Sequence, residues 1–250
     1  GLVDGFRGLW RELAPIGRDE RTGGYLRYAF SEPESRLRDW FRDQAARRGM
    51  PVHDDGNGNL FAWWGEPDGS DAVLTGSHFD SVPHGGAYDG PLGIVSAFLA
   101  IDELRRTGVT PTRPVVVGAF VEEEGARFGV PCLGSRLLSG TIDAARAAAL
   151  TDRDGISFAT ALGAPPAGAR PELLRRFGCF VELHVEQGRG LVDLAAPVGV
   201  ASAIWPHGRW RLDFTGEANH AGTTRMADRR DPMLTYAFTV LAANKEARTR

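Results

Sequence analysis

Residues 114–124 read Pro-Val-Val-Val-Gly-Ala-Phe-Val-Glu-Glu-Glu. From Pro114 to Val121 the run is apolar without alternation, the pattern of a strand covered on both faces. Glu122, Glu123 and Glu124 follow at its end with no turn residue between. Upstream, Leu92 to Arg106 predicts a helix, because Ile94, Val95, Phe98, Leu99, Ile101 and Leu104 recur at helical spacing. Before it, Ala72 to Thr75 predicts a short buried strand. Val52 to Asp54 and Leu60 to Trp64 predict strands around the turn Gly56-Asn57-Gly58-Asn59. Ser31 to Met50 predicts an amphipathic helix with Leu37, Trp40, Phe41 and Ala45 as its apolar stripe, Ser31 and Glu34 as a capping box, and Gly49 as its stop. Downstream, Phe180 to Val185 predicts another strand. Strands alternating with helices imply an α/β sheet flanked by helices on both sides.

The pattern changes near Pro197. Val198 to Ile204 and Arg209 to Phe214 predict antiparallel strands, the second turning Trp210, Leu212 and Phe214 inward. A helix is expected from Asp231, with Pro232 in its first turn. These features divide the chain into a catalytic domain over 1–204 and the beginning of a smaller α+β lid or dimerisation domain over 205–250. The sequence opens on Gly1 rather than Met and stops at Arg250 inside a helical pattern, which reads as a truncated piece.

Bulk properties exclude several classes. A net charge of -3 leaves no electrostatic footprint for nucleic acid or an anionic membrane. No apolar run is long enough to span a bilayer, and Gly1 to Trp10 lacks the layout of a signal peptide. Cys132 and Cys179, the 2 cysteines, make neither a disulfide framework nor a zinc ribbon, so a reducing, cytoplasmic setting is expected. Lys245 is the sole lysine and lies near the chain end, which argues against Schiff-base chemistry.

Three clusters at strand ends carry chemistry. His78 and Asp80 follow the strand ending at Thr75, and Asp89 sits among Gly85, Gly86 and Gly90, which let the backbone approach closely. Taken alone, Asp89 reads equally as a helix cap and His78 as a structural histidine. Glu122, Glu123 and Glu124 are costly at the end of an apolar strand unless compensated; Arg127 offsets one, a divalent metal offsets more, and a solvated acidic loop is the plain alternative. In Glu182-Leu183-His184-Val185-Glu186, strand alternation places Glu182, His184 and Glu186 on one face, with a core histidine as the alternative. Together the clusters supply imidazole and carboxylate without nearby cysteine, which suits zinc, manganese, cobalt or nickel, and a spare glutamate beside a ligand glutamate serves as a general base.

Four ordered motifs then stand out: GSHFDSVPHGGAYDGPLG at 76–93, EEEGARF at 122–128 with GSR at 134–136, ELHVEQG at 182–188, and GEANHAGTTRMADRRD at 216–231. With them the chain closely resembles, over essentially its whole length, the hydantoinase/carbamoylase family of amidohydrolases. The family includes N-carbamoyl-L-amino-acid hydrolases and allantoate amidohydrolases, and is related to aminoacylases and glutamate carboxypeptidases. The resemblance implies a metallopeptidase-like catalytic domain with a mixed central sheet, two divalent ions and a homodimer formed through the lid domain. It implies that His78 and His184 bind the first metal, Asp89 bridges, Glu124 binds the second, Asp80 orients His78 and Glu123 is the general base. Gln187 would touch substrate and His220 would steady the oxyanion. Asn219 and Arg229 share its motif with less defined roles, and His207 and Arg209 are candidates for a substrate carboxylate against a solvated strand face. The family often has proline where Arg225 and Arg189 stand. It draws a further histidine ligand, an asparagine, an arginine and the strands that finish its catalytic sheet from beyond the position of Arg250. A chain limited to 1–250 is therefore expected to be inactive and poorly stable.

The implied activity is hydrolysis of a non-peptide C–N bond in a linear ureide, either allantoate or an N-carbamoyl-L-amino acid. The polar run Ile204 to Arg209 tilts the expectation slightly to allantoate. An aminoacylase or dipeptidase on the same scaffold, or a non-catalytic dimerising fragment, are the competing readings.

Overall fold

A computed structural model describes residues 1–67, 69–205, 208 and 210–249. The chain divides into two compact units, Gly1–Leu194 and Ala195–Arg250. In the first unit a five-stranded sheet runs in the order β1-β2-β4-β3-β5, with β1 Val52–Asp54, β2 Leu60–Trp64, β3 Ala72–His78, β4 Val115–Phe120 and β5 Phe177–Val181. β1, β2 and β4 pair antiparallel; β3 runs parallel to both β4 and β5. The sheet is thus mixed, and the apolar run 114–121 lies inside it.

Both faces of the sheet are covered over β2, β3 and β4, as the unalternating run requires, while the edge strand β5 leaves Phe180 and Val181 exposed. On one face Leu60, Ala62, Val117 and Ala119 pack with Phe41, Ile94 and Phe98. These last come from the helices α2 (Glu32–Arg47) and α3 (Pro91–Arg106), beside which lies α1 (Leu2–Leu13). On the other face Phe61, Trp63, Leu74 and Val116 meet Leu138 and Leu173, Leu138 coming from the helix α4 (Leu133–Ser139). Successive residues of β2 therefore alternate between two cores rather than between core and water. A third apolar cluster, with Val121, Phe128, Leu133 and Phe158, lies where β4 gives way to the acidic loop.

The β3–α3–β4 unit sets the site. Its two strands are parallel and in register to their ends, with His78 opposite Phe120. The chain therefore delivers His78 and the residues after Phe120 to the same edge, the carboxyl edge where α/β sheets gather ligands. β3 continues to His78 rather than stopping at Thr75, since Gly76 faces Gly118 and neither has a side chain to hold the strands apart.

Three local expectations are corrected. Ser31 precedes α2, but its hydroxyl has no partner among the described residues; Glu34 Oε2 instead accepts the Phe30 N–H at 2.8 Å. The buried carboxylate is turned toward Arg38, 3.7 Å away, and so misses the reciprocal box. Next, β5 stops at Val181, so Glu182, His184 and Glu186 share no strand face. Its pairing with β3 ends at Thr75–Val181, and the Ser77 hydroxyl then donates to Glu182 Oε1 at 2.6 Å. Finally, no ladder forms over Val198–Ile204 or the described part of 209–214, and Trp210 and Leu212 are 83% and 60% exposed instead of inward. A strand exists only through a partner, and neither stretch finds one among the described residues. The helix Pro232–Thr249 is present, its start bonded through Asp231 Oδ1 to the Met233 N–H. No described helix is long and apolar enough to cross a membrane.

Glu34 makes stability pH-dependent. Burial lifts its carboxyl from 4.5 to about 7, against the pull of Arg38 and the Phe30 N–H. A raised folded-state value means that the folded chain holds the proton more tightly than the unfolded one. The contribution is fully present below about 4.5 and is lost as pH rises through about 7. At 1.36 kcal/mol per unit the loss is on the order of 3 kcal/mol. Denaturant unfolding of Glu34→Gln should show a larger gain relative to the parent at pH 8 than at pH 5. Equal shifts at both pH values would count against it.

Candidate metal centre

Two histidines meet at the sheet edge in the same arrangement. His78 is buried and His184 is one-third exposed at its side chain. Nδ1 of His78 lies 2.8 Å from the Asp80 carbonyl, and Nδ1 of His184 lies 2.8 Å from the Val185 carbonyl. A carbonyl only accepts, so each Nδ1 donates, and Nε2 is the nitrogen whose lone pair an ion takes in place of a proton. The rings lie 6.0 Å apart and 26° from parallel. His78 Nε2 is one of two buried side-chain polar atoms without a partner among the described residues, the other being Ser31 Oγ.

Carboxylates face those nitrogens. Asp89 Oδ1 stands 3.8 Å from His78 Nε2 and 3.3 Å from His184 Nε2. Glu123 Oε2 stands 3.6 Å from His78 Nε2. Ligand atoms of His78, Asp89 and His184 fall within 4.8 Å of one another, as do those of His78, Glu123 and Glu124. Gly90 permits this crowding. Its φ is 91°, and a Cβ there would sit 2.7 Å from the His78 ring. Gln187, at φ 61°, turns the chain and donates its amide to Asp89 Oδ2 at 2.7 Å.

Electrostatics favour any cation placed here. The hydrogen bond that His184 donates to Asp89 pushes His184 up to about 9, and the same bond holds Asp89 below the usual carboxylate range. Burial, then the charge of Asp89, lifts Glu124 to about 7. Two imidazole Nε2 atoms, clustered carboxylates and no cysteine ligand suit zinc, manganese, cobalt or nickel, the ion displacing the proton that Asp89 holds on His184. The orphaned buried Nε2 is what a metal would satisfy, so the residues fit a divalent ion.

The acidic loop is fixed by its main chain. Asp80 is fully buried, and its two oxygens accept the N–H groups of Glu123 (3.1 Å) and Glu124 (3.0 Å). Its carboxylate is 3.7 Å from His78 Nδ1, so its carbonyl orients the ring while its carboxylate holds the glutamates. Glu122 turns away at φ 52°, where its buried carboxylate accepts the Arg127 and Phe128 N–H groups. Only that N–H of Arg127 reaches Glu122, because its guanidinium bonds Asp152 at 3.0 Å and the Ala29 carbonyl at 2.6 Å. The expected guanidinium offset reaches Glu122 through its charge and not through contact, as a small pull against the burial that lifts this carboxyl to about 7.

Glu123 is 41% exposed at its side chain, whereas Glu122 before it is buried. It borders, with His78, a cleft of about 750 Å³ lined also by Phe120, Cys132, Arg136 and Phe180. The Cys132 Sγ is 3.7 Å from Glu123 Oε1. Burial and then the charge of Glu123 push that thiol up, so it faces the carboxylate as S–H. Nothing in the sequence around Cys132 signals this contact.

Asn219 and His220 belong to the second unit. There Asn219 Nδ2 donates to Glu217 Oε1 at 3.4 Å, and His220 Nδ1 accepts the Gly222 N–H at 3.1 Å. Arg229 stitches the same loop through the carbonyls of Ala221 and Thr224. His207 and Arg209 lie outside the described residues.

Known proteins share this framework. The profile described as Peptidase family M20/M25/M40 matches residues 74–247. An N-carbamoyl-L-amino acid amidohydrolase of Geobacillus stearothermophilus is 37% identical over 99% of this chain and 62% of its own length. An allantoate amidohydrolase of Escherichia coli is 37% identical over 90% of this chain and 55% of its own. The crystal structure of a hydantoinase/carbamoylase family amidase from Burkholderia ambifaria superposes with a TM-score of 0.73 at 30% identity, over 98% of this chain and 60% of that one. The chain thus spans less than two thirds of each. With the profile covering most of the sequence and both metal-fitting trios, the chain belongs to peptidase family M20/M25/M40.

Proposed function

We propose that this chain carries the metal-binding core of an amidohydrolase that splits a non-peptide C–N bond of a linear ureide, allantoate or an N-carbamoyl-L-amino acid. The observation that carries the reading is Glu123. It is a carboxylate beside His78, open to the cleft, with its main chain held on both sides. His78, Asp89, His184 and Glu124 would hold two divalent ions, zinc or manganese. When bound, such ions lower the pKa of water and polarise a carbonyl. Glu123 takes a proton from the attacking water and returns it to the leaving nitrogen. Asp80 keeps Glu123 and Glu124 in place through their N–H groups and fixes the His78 tautomer through its carbonyl. His220 would stabilise charge that develops only in the transition state.

The relatives named above support the ureide class, and both substrate types stay within the reading. A domain division at 204/205 and a homodimer through 205–250 belong to the same proposal, supported by the motif at 216–231. The helix Pro232–Thr249 leaves Leu234, Phe238 and Leu241 exposed, as a pairing surface would. Two free cysteines agree with a cytoplasmic setting.

The test is a side-by-side assay of the full-length protein loaded with manganese or zinc. Allantoate and an N-carbamoyl-L-amino acid are compared with an N-acetyl amino acid and a dipeptide. One ureide should be preferred over the amides by roughly 100-fold in kcat/KM. Preference for the amide or the dipeptide would overturn the ureide reading and leave an aminoacylase or dipeptidase.

A further inference from the structure

The turn between β1 and β2 does more than join two strands. Asp55, Asn57 and Asn59 are all fully buried, which is costly for polar side chains without a task. The Asp55 carboxylate accepts four N–H groups, from the backbones of Asn57 (2.8 Å) and Asn59 (3.1 Å) and from their side-chain amides (3.3 and 2.7 Å). Two arms leave this hub. Asn57 exchanges a pair of hydrogen bonds with the main chain of Gly168, at 2.9 and 2.7 Å. Asn59 reaches the site instead. Its Oδ1 accepts the Val121 N–H at 3.1 Å, and its Nδ2 donates to the Gly134 carbonyl at 2.9 Å.

Those are the residues from which the acidic loop hangs. The carbonyls of Val121, Glu122 and Glu123 accept, in order, the N–H groups of Gly134 (3.0 Å), Leu133 (3.1 Å) and Cys132 (2.6 Å). Asn59 spans the first rung of this ladder, bonding both of the segments that make it. Gly134 must be glycine for the amide to fit, because a Cβ there would strike Asn59 Oδ1. From the other side, Asp80 holds the N–H groups of Glu123 and Glu124. The loop is therefore clamped at two points, and Asn59 is the clamp farther from the histidines.

We infer that Asn59, oriented by Asp55, is a positioning residue that sets where Glu123 and Glu124 stand relative to His78. The inference rests on the reading of Glu123 as base and Glu124 as ligand. Asn57 supplies an internal control, since it hangs from the same carboxylate and is equally buried but leads away from the acidic loop.

The experiment compares Asn59→Ala with Asn57→Ala in the full-length protein, measuring Tm, kcat, KM and zinc affinity by competition with a chelator. Both variants should lose Tm. Asn59→Ala should also lose kcat by roughly 30-fold with KM within about threefold, the mark of a displaced reacting group. Its zinc affinity should fall on the order of tenfold. Asn57→Ala should keep kcat and zinc affinity within about threefold of the parent. Should Asn59→Ala not fold, Asn59→Ser, which keeps a small polar group at the position, should shift kcat and zinc affinity in the same direction by less. Loss of kcat and zinc affinity in proportion to Tm in both variants, or retention of both by Asn59→Ala, would overturn the inference. If the parent turns over no ureide, the ureide reading fails alone, and zinc affinity across the same variants still decides the role of Asn59.

Discussion

Glu123→Gln in the full-length protein should lower kcat by about 10³-fold or more while metal content stays at the parental level. The substitution keeps size and the carbonyl-type acceptor that faces Cys132 Sγ, 3.7 Å from Oε1. It leaves the main chain of residue 123 with its Asp80 and Cys132 bonds. What it removes is the ability to take a proton. A group that acts only by accepting and returning a proton should show its loss in kcat, with little change in KM. Metal retention is the second half of the result. His78, Asp89 and His184 form a trio without Glu123, so a variant that is dead because it is empty would point to a ligand rather than a base. Activity within about tenfold of the parent would remove Glu123 from the chemistry.

The second large effect is expected at Asp89. Its Oδ1 faces both imidazole Nε2 atoms, at 3.8 and 3.3 Å, and its Oδ2 takes the Gln187 amide. No other carboxylate among the described residues approaches both histidines. Asp89→Asn keeps the shape and removes the charge that makes the cluster attractive to a cation. After dialysis, elemental analysis should find metal reduced by at least about tenfold, with activity falling in step. The variant also tests how the site is built, since His78 keeps its bond to the Asp80 carbonyl and stays buried. Parental metal content and activity in Asp89→Asn would mean that the trio of His78, Asp89 and His184 does not hold the ion.

Much of this was legible in the residues. The run 114–121 is a sheet strand covered on both faces because nothing in it tolerates water. His78, Asp80, Asp89, Glu123 and Glu124 converge because two parallel strands in register must deliver their ends to one edge. Other features were hidden for physical reasons. His184 reads as strand because its neighbours alternate, yet alternation cannot tell where β3 stops offering a partner. Trp210 and Leu212 read as core, but an apolar side chain is buried only where something covers it. Ser31 and Glu34 have the spacing of a capping box, and burial of Glu34 against Arg38 overrides it. The Asp55-Gly56-Asn57-Gly58-Asn59 run carries the composition of any turn. Its one clue was three polar side chains at alternate positions, more than a hairpin requires.

The β3–α3–β4 unit has one more consequence, in the order in which the chain is made. Every carboxylate of the cluster, and His78, lies between residues 78 and 124, whereas His184 follows 60 residues after Glu124. At roughly 5–20 residues per second on a ribosome, that interval is on the order of several seconds. The trio of His78, Glu123 and Glu124 is therefore synthesised complete before the imidazole that finishes the other trio exists, so the acid-rich half of the centre leaves the ribosome first.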